Sequence, residues 1–570
     1  MLGKRHAFFR FLPRCAKSQA LRVSQKERAG IPFWSHYADL LVGIVCIASV
    51  FCFLGSRDIA DVRERRIAGT AADVADHGRW LLPHLEGKPR ILKPPFADWI
   101  AVGSMRLLGR NEFGFRLPFA LVGLGIIFVA WAITRRLFDG ETGRIAALIL
   151  AVTPYFISEC HSPSQDLLLT FFTGLALLLW LVWKKEGRPW SASWWGFYVS
   201  LSLACLFKGP LALVIVSIPI VLELWVSHQW HLGVRMRPWW GVLMVIGFAF
   251  AWPIMLWLWN KDFLVQMIAD VKRSVVPSQE HHGWSYFQHL CNWPWFTYPW
   301  SVFGIGALFL PAWGRKLQSW SRLRFCSLWL TGNFVFFAVC AKQPIHHLLP
   351  VVPSVGVIEA VLLRQFLKAI ESRNIDRCGW VVAGLLSLCC VLFSFGVGFS
   401  MYSCEIASLT RALAVGCCLA IPAFIGSWFF FSRPQRAFKL FVLTGVLCII
   451  SISGWIERPV SARRSIVRFA HDINRLVPGN EPVYFTHTKE ALPFYARREF
   501  RRLDLDPQPR AVVSALASRK QGYFLVSQDI YEMLSALGKD QLMFEVVLRH
   551  ETSEKNNAIP LLLVHFVARQ

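Results

Sequence analysis

The chain has no glycine-rich phosphate loop, no G-x-G-x-x-G fingerprint, no C-x-x-C pair and no internal repeat. The first two absences exclude the common nucleotide sites, in which backbone N–H groups cradle a phosphate at the start of a helix. The third removes redox dithiols and zinc knuckles. The 15 cysteines, among them Cys46, Cys52, Cys205, Cys389, Cys390, Cys417, Cys418 and Cys448, lie mostly within apolar runs, where a thiol behaves as a small buried hydrophobe. Acidic residues are scarce, 36 against 61 Lys and Arg, for a formal net charge of +25. Such an excess raises the question of nucleic acid, but the cations stand between hydrophobic runs and at the N-terminus rather than on a basic stripe or a recognised module.

What is abundant is apolar. Hydrophobic residues make up 55% of the chain, and the mean hydropathy is +0.42. Stretches of the length that crosses a hydrocarbon core recur from Leu40 to Ile452, and that length criterion predicts about thirteen transmembrane helices. The fold class expected is an α-helical polytopic membrane protein. Lys4, Arg5, Arg10, Arg14, Lys17, Arg22, Lys26 and Arg28 precede the first span, which predicts a cytoplasmic N-terminus. The apolar run begins only near Leu40 and no small-residue cleavage site follows, so the segment reads as a retained helix rather than a signal peptide. Arg135-Arg136, Lys184-Lys185, Arg235 and Arg237, Arg315 and Lys316, Lys368 to Arg377 and Arg433 to Lys439 then fall on inside turns.

Three regions are expected: a basic cytoplasmic leader over 1–36, a membrane domain over 37–455 with an outer loop at 56–112, and a C-terminal extracytoplasmic domain over 456–570. In the outer loop, Val62 to His77 and Phe96 to Leu108 read as helices lying in the membrane interface. From about Glu457, strands at Pro482–His487, Gly522–Val526, Met543–Arg549 and Pro560–Val567 alternate with helices near Ala491–Arg497 and Arg510–Ala517, the pattern of a small α/β domain.

Ionisable groups at outer span ends are costly unless paired or used. The segment Trp80-Leu-Leu-Pro-His-Leu-Glu-Gly-Lys-Pro-Arg-Ile-Leu-Lys-Pro-Pro95 carries Lys88, Arg90 and Lys93 where a lipid-anchored phosphate would sit. Lys93, before Pro94-Pro95, is either a phosphate ligand or a lysine snorkelling from a rigid turn. Lys208 interrupts an apolar helical pair at a Lys-Gly-Pro turn, where a cation has little structural reason to be. Asp166 heads a span and fits either proton chemistry or plain helix-dipole stabilisation. The pairs His281-His282 and His346-His347 suit substrate binding by hydrogen bonds or phosphate contact. Adjacent histidines point apart, so no metal site is assigned. Phosphate-binding candidates are Arg66, Lys93, Lys208, Arg273 and Lys342; the catalytic carboxylate candidates are Asp58, Asp61, Glu64 and Asp166.

Taken in order, Glu64-Arg-Arg66, Gly78-Arg-Trp80-Leu-Leu-Pro83, Lys93-Pro94, Asp166, Phe207-Lys208-Gly209 and Lys342-Gln343-Pro-Ile-His346-His347-Leu-Leu-Pro350 resemble bacterial GT-C glycosyltransferases. The resemblance is to those related to the aminoarabinose transferase of lipid A and, more distantly, to protein O-mannosyltransferases. It implies a GT-C fold of about thirteen helices and a polyprenyl-phosphate sugar as donor. It also implies that Lys93 and Arg273 hold the donor phosphate, and that Lys208 and Asp166 match the family's turn lysine and span-head acid. The sequence departs from that pattern twice. Arg63 stands where the family has its first-loop aspartate, and Leu92 stands where the aminoarabinose transferases have a glutamate implicated in metal binding. A divalent metal is thus optional and no cofactor is assigned.

The activity expected is transfer of a sugar to a lipid, glycan or protein acceptor on the periplasmic face of a bacterial inner membrane. The alternatives are a transporter or flippase for a charged polyprenyl lipid, and a non-catalytic binding subunit. Transporters place ionisable groups near the midplane of paired halves, whereas here they cluster at outer span ends.

Overall fold

A computed structural model describes residues 33–91, 93–275, 287–339, 344–373, 377–479, 481–486, 490–503, 509–550 and 560–569, apart from the side chains of 33–36, 270–275, 316, 378, 463 and 464. The chain divides into two compact units. One comprises Met1–Cys52, Phe119–His161 and Gln165–Ile456; the other comprises Phe53–Pro118, Ser162–Ser164 and Glu457–Gln570. The outer loop after the first helix therefore clusters with the C-terminal domain.

The first unit is a bundle of apolar helices, as a multi-pass membrane protein requires. Among the described residues seven helices are long and apolar enough to cross a bilayer, or eight if the bent pair Gly140–Ala151 and Pro154–Cys160 is one span. Ala192–Lys208, Leu211–Ser227 and Trp320–Ala338 are 17, 17 and 19 residues long, the short end of the spanning range. Exposure separates inner from outer helices. Of the apolar windows, 83% of Ile345–Glu371 and 72% of Gln165–Glu186 is buried, against 28% of Pro238–Trp259 and 33% of Leu409–Phe429. The first two line the interior and the last two present side chains suited to lipid.

Close packing inside the bundle is explicit at Gly241. A Cβ there would lie 1.9 Å from the Tyr198 ring, so Ala192–Lys208 and Pro238–Trp259 approach at a distance only glycine permits. Gln165–Glu186 has Asp166 in its first turn and Lys184 and Lys185 in its last, matching the helix dipole at both ends. At the basic end Glu223, 4% exposed, accepts from Lys184 Nζ at 3.0 Å and from Arg324 Nε and Nη2, both at 3.0 Å. That carboxylate ties Gln165–Glu186, Leu211–Ser227 and Trp320–Ala338 together.

The second unit contains the two outer-loop helices, found as expected at Val62–His77 and Phe96–Leu108, with a short hairpin between them of β1 (His84–Leu85) and β2 (Lys88–Pro89). Asp61 caps the first helix by accepting from the backbone N–H of Arg63 and Glu64, and Gly78, at φ 68°, ends it in a left-handed turn. The C-terminal part is a five-stranded sheet of β3 (Val483–Phe485), β4 (Phe500–Arg502), β5 (Gln521–Ser527), β6 (Leu542–His550) and β7 (Leu561–Ala568), in the order β4-β3-β5-β7-β6. β3 pairs parallel with β4 and β5, while β7 pairs antiparallel with β5 and β6. The helices Pro509–Ala517 and Gln528–Leu537 bury Val512, Val513, Leu516 and Leu534 in a core with Phe524, Val564 and Phe566. Strand β4 and the helices Val467–Leu476 and Gln528–Leu537 were not expected from sequence: β4 has three residues, two of them arginine, and both helices are short and mix polar with apolar residues.

Replacing Glu223 by Ala leaves Lys184 and Arg324 without their common carboxylate. The expected outcome is a loss of about 2–4 kcal/mol, below a fully buried pair because both cations are partly exposed. It is read as a lower melting midpoint of the purified protein in detergent; an unchanged midpoint would show that the three-helix tie contributes nothing.

Candidate functional site

Asp166 and Lys208 meet in the first unit. Asp166 is 4% exposed at the start of an interior helix, and its Oδ1 accepts from Lys208 Nζ. Lys208 closes the helix Ala192–Lys208; Gly209 at φ 65° breaks it, and Pro210 starts the next helix. Phe207 stacks on Phe172 with ring centroids 5.5 Å apart, which pins this end of the helix against Gln165–Glu186. The sequence left Asp166 between dipole partner and chemistry. The structure gives it a specific partner 42 residues away, which a dipole alone does not require.

His346 and His347 begin the turn Ile345–Val351, their rings 5.0 Å apart and nearly perpendicular. That turn packs on the Asp166 helix, and His347 is within electrostatic reach of Lys208, Asp166, His346 and His289. His289 has no exposure, and among the described residues neither of its ring nitrogens has a hydrogen-bond partner. Sequence reading passed over it; it lies in the short helix Gln288–Phe296. The arrangement is a cation held by a carboxylate with imidazoles beside it, a set that can steady developing negative charge on an oxygen.

In the second unit the first-loop acids have structural duties. Glu64 has no exposure and pairs with Arg116 Nε at 2.6 Å, with Arg57 Nη2 3.9 Å away. Asp61 is the helix cap. Both carboxylates carry structural contacts: Glu64 is buried against a guanidinium, and Asp61 accepts from backbone N–H groups. Asp58 is half-buried, its backbone N–H donating to Ser461 Oγ at 3.1 Å. Arg66 pairs with Glu490 at 3.6 Å. Lys93 is exposed just ahead of the helix Phe96–Leu108, whose N-cap is Pro95. The side chain of Arg273, and His281, His282 and Lys342, lie outside the described residues.

Arg116 and Asp98 are among the buried charges that sequence reading missed, the first signalled only by an arginine inside the apolar run Phe113-Gly-Phe-Arg-Leu-Pro-Phe119. Arg116 also donates to the carbonyls of Leu54, Arg57 and Asp58 at 3.1, 2.6 and 3.3 Å. Asp98, 2% exposed, accepts from Thr70 Oγ1 at 2.6 Å and Arg90 Nη1 at 3.4 Å. Burial raises its carboxyl above the ordinary 3.8, and the Arg90 and Lys93 charges with the Thr70 bond only partly oppose this. Tyr495 is likewise raised, chiefly by burial and then by the Glu112 charge it bonds at 3.0 Å. Among the described residues no three His, Cys, Asp or Glu side chains are arranged to hold a metal ion, and Leu92 brings no ligand atom where the resemblance would place one.

Comparison with known proteins agrees with this architecture. A family model described as dolichyl-phosphate-mannose-protein mannosyltransferase matches residues 92–257. An uncharacterised protein of Aquifex aeolicus is 26% identical over 84% of this chain and 90% of its own length. The undecaprenyl phosphate-alpha-4-amino-4-deoxy-L-arabinose arabinosyl transferase 2 of Pseudomonas fluorescens is 25% identical over 55% of this chain; the match spans 54% of that relative, about half its length. The crystal structure of ArnT from Cupriavidus metallidurans bound to undecaprenyl phosphate superposes with a TM-score of 0.74 at 18% identity, covering 92% of this chain and 97% of that one. The fold is therefore that of the GT-C enzymes. The family model and the transferase relatives are similar to parts of this chain, and what they share with it is read below as a proposal.

Asp98 generates a pH test. A carboxyl raised in the folded state binds its proton more tightly there, so its contribution to stability is full below the unfolded value of 3.8 and is lost as pH rises through the folded value. Asp98→Asn should remove that decline while keeping the acceptor for Thr70. Denaturant midpoints measured from pH 4 upward, about where the unfolded carboxyl titrates, should therefore fall more steeply for wild type than for the variant. Parallel curves would refute the raised carboxyl.

Proposed function

We propose that this protein moves a sugar from a polyprenyl-phosphate carrier to a lipid, glycan or protein acceptor at the periplasmic face of a bacterial inner membrane. The observation that carries the reading is Lys208 held by the buried Asp166 at the head of an interior helix, in a GT-C fold like that of a transferase solved with undecaprenyl phosphate. In the reaction the bond from anomeric carbon to phosphate oxygen breaks and its electron pair stays on the phosphate. An acceptor oxygen supplies the pair for the new bond. The barrier falls when cations meet the charge that grows on the leaving phosphate.

Lys208 is assigned that task, with Asp166 positioning it and His346 and His347 donating to the donor's oxygens. Lys93, Arg66, Arg273 and Lys342 are assigned to phosphate binding, with His281 and His282 as further substrate contacts. Because Asp61 and Glu64 are committed elsewhere, Asp58 is the first-loop carboxylate assigned to take the proton of a hydroxyl acceptor. A phosphate acceptor needs no base. The charge distribution between spans supports a cytoplasmic N-terminus and a periplasmic domain over 456–570. Leu92 in place of a metal-binding glutamate supports a reaction carried by side-chain cations, so no step is assigned to a metal.

Lys208→Ala and Lys93→Ala should each lower transfer from a labelled polyprenyl-phosphate sugar in membrane vesicles by about 10²–10³, the scale of losing one preorganised donor. Cells lacking the protein should accumulate one glycosylated polyprenyl phosphate, whose mass names the sugar. Near-normal transfer by Lys208→Ala would refute its role, and an unchanged lipid pool would refute the transferase reading.

A further inference from the structure

The helices Gln165–Glu186 and Ala192–Lys208 carry the Asp166–Lys208 pair at one end. Their other ends, roughly 30 Å away at 1.5 Å of rise per residue, are charged as well. Gly187, at φ 61°, stops the first helix, and Lys185 and Arg188 flank it. A Cβ on Gly187 would lie 3.4 Å from the guanidinium carbon of Arg235. Trp194, in the first turn of Ala192–Lys208, donates from Nε1 to the carbonyl of Met236 at 2.7 Å. The segment Arg235-Met236-Arg237, which leads into the helix Pro238–Trp259, is thereby held against the Gly187 turn. Cations from two segments distant in sequence are brought together.

These cations are not spent within the protein. Lys184, one residue earlier, is taken by Glu223, whereas Lys185, Arg188, Arg235 and Arg237 are exposed and make no ion pair or side-chain hydrogen bond among the described residues. Glu186, the acid next to them in the chain, accepts from Ser193 Oγ at 2.6 Å, and one carboxylate leaves the cluster strongly positive. Indoles surround it. The Trp190 ring lies 5.9 Å from that of Trp195 and 6.4 Å from that of Trp240, and Trp239, two residues after Arg237, is 78% exposed. Indoles at the end of an apolar bundle suit the membrane–water boundary, where the ring is apolar on one side and its N–H is wet.

We infer that this end of the bundle is a headgroup site for an anionic phospholipid, whose phosphate meets Lys185, Arg188, Arg235 and Arg237 while the indoles sit at the level of its glycerol. Charge complementarity carries the choice of occupant: accessible guanidinium groups match phosphate oxygens, and basic clusters between membrane helices recruit anionic headgroups. A zwitterionic lipid brings its own cation and gains little there. The site stands at the opposite helix ends from Lys208, and it depends neither on the sugar nor on the carrier proposed for that lysine.

The test is native mass spectrometry of the full chain released from nanodiscs containing cardiolipin, phosphatidylglycerol and phosphatidylethanolamine. The two anionic lipids should be retained and phosphatidylethanolamine should not. The triple variant Arg188→Gln, Arg235→Gln, Arg237→Gln should lower the affinity for cardiolipin by about tenfold or more, the scale of losing several basic residues at an anionic surface. Because removing cations can disturb membrane insertion, Trp239→Glu is the second variant: it keeps all four cations and sets a repelling carboxylate beside them at an exposed position. It should lower cardiolipin retention without lowering the melting midpoint. The control is Arg433→Gln, Arg436→Gln, Lys439→Gln, which removes three exposed cations around a different turn and should leave retention unchanged. Equal retention of phosphatidylethanolamine, no retention of an anionic lipid, normal retention by both test variants, or an equal loss in the control would each overturn the proposal.

Discussion

A charge taken out of water must find its complement within the protein, and Arg116 shows how far the second unit is organised by that constraint. Its guanidinium has no exposure and is met by Glu64 and by carbonyls of Leu54, Arg57 and Asp58. Removing either charge would leave the other buried and uncompensated, a cost of about 3–5 kcal/mol. The turn leaving the first helix is thereby wrapped around one side chain, and the start of the capped helix Val62–His77 is anchored to it. Asp98 repeats the device between the two outer-loop helices, with Thr70 and Arg90 as partners.

The same constraint acts inside the helical unit. Both ends of Gln165–Glu186 are held by ion pairs, Asp166 with Lys208 at one and Lys184 with Glu223 at the other. The two pairs are not equivalent. Glu223 is saturated by two cations and reads as a clamp, whereas Lys208 is a lysine on a glycine-broken turn with donor capacity beyond its one carboxylate. A lysine held by one carboxylate keeps further N–H donors with which to meet an anion.

Much of this was legible in the primary structure, for particular reasons. Apolar length announces a span because backbone hydrogen bonds must close locally in lipid. The outer-loop helices were readable because Asp61 and Gly78 punctuate the first of them. Strands β5, β6 and β7 were readable from runs of branched and aromatic residues. The roles of the first-loop acids were not. A Glu-x-Arg motif looks the same whether the glutamate faces a substrate or a buried arginine more than fifty residues later, and the glycosyltransferase resemblance weighted the former.

Composition, span length and charge placement by themselves determined that this is a polytopic membrane protein, that its charged residues stand between the apolar runs, and that an α/β region follows the last long apolar helix. These properties are set by transfer free energies and local periodicity, which each segment expresses alone. Only tertiary structure decided which charges are spent. It assigned Glu64 to Arg116, Asp61 to a helix cap and Asp166 to Lys208. Such pairings depend on separations of a few ångströms between residues distant in sequence. Electrostatic and hydrogen-bond energies change steeply over that range.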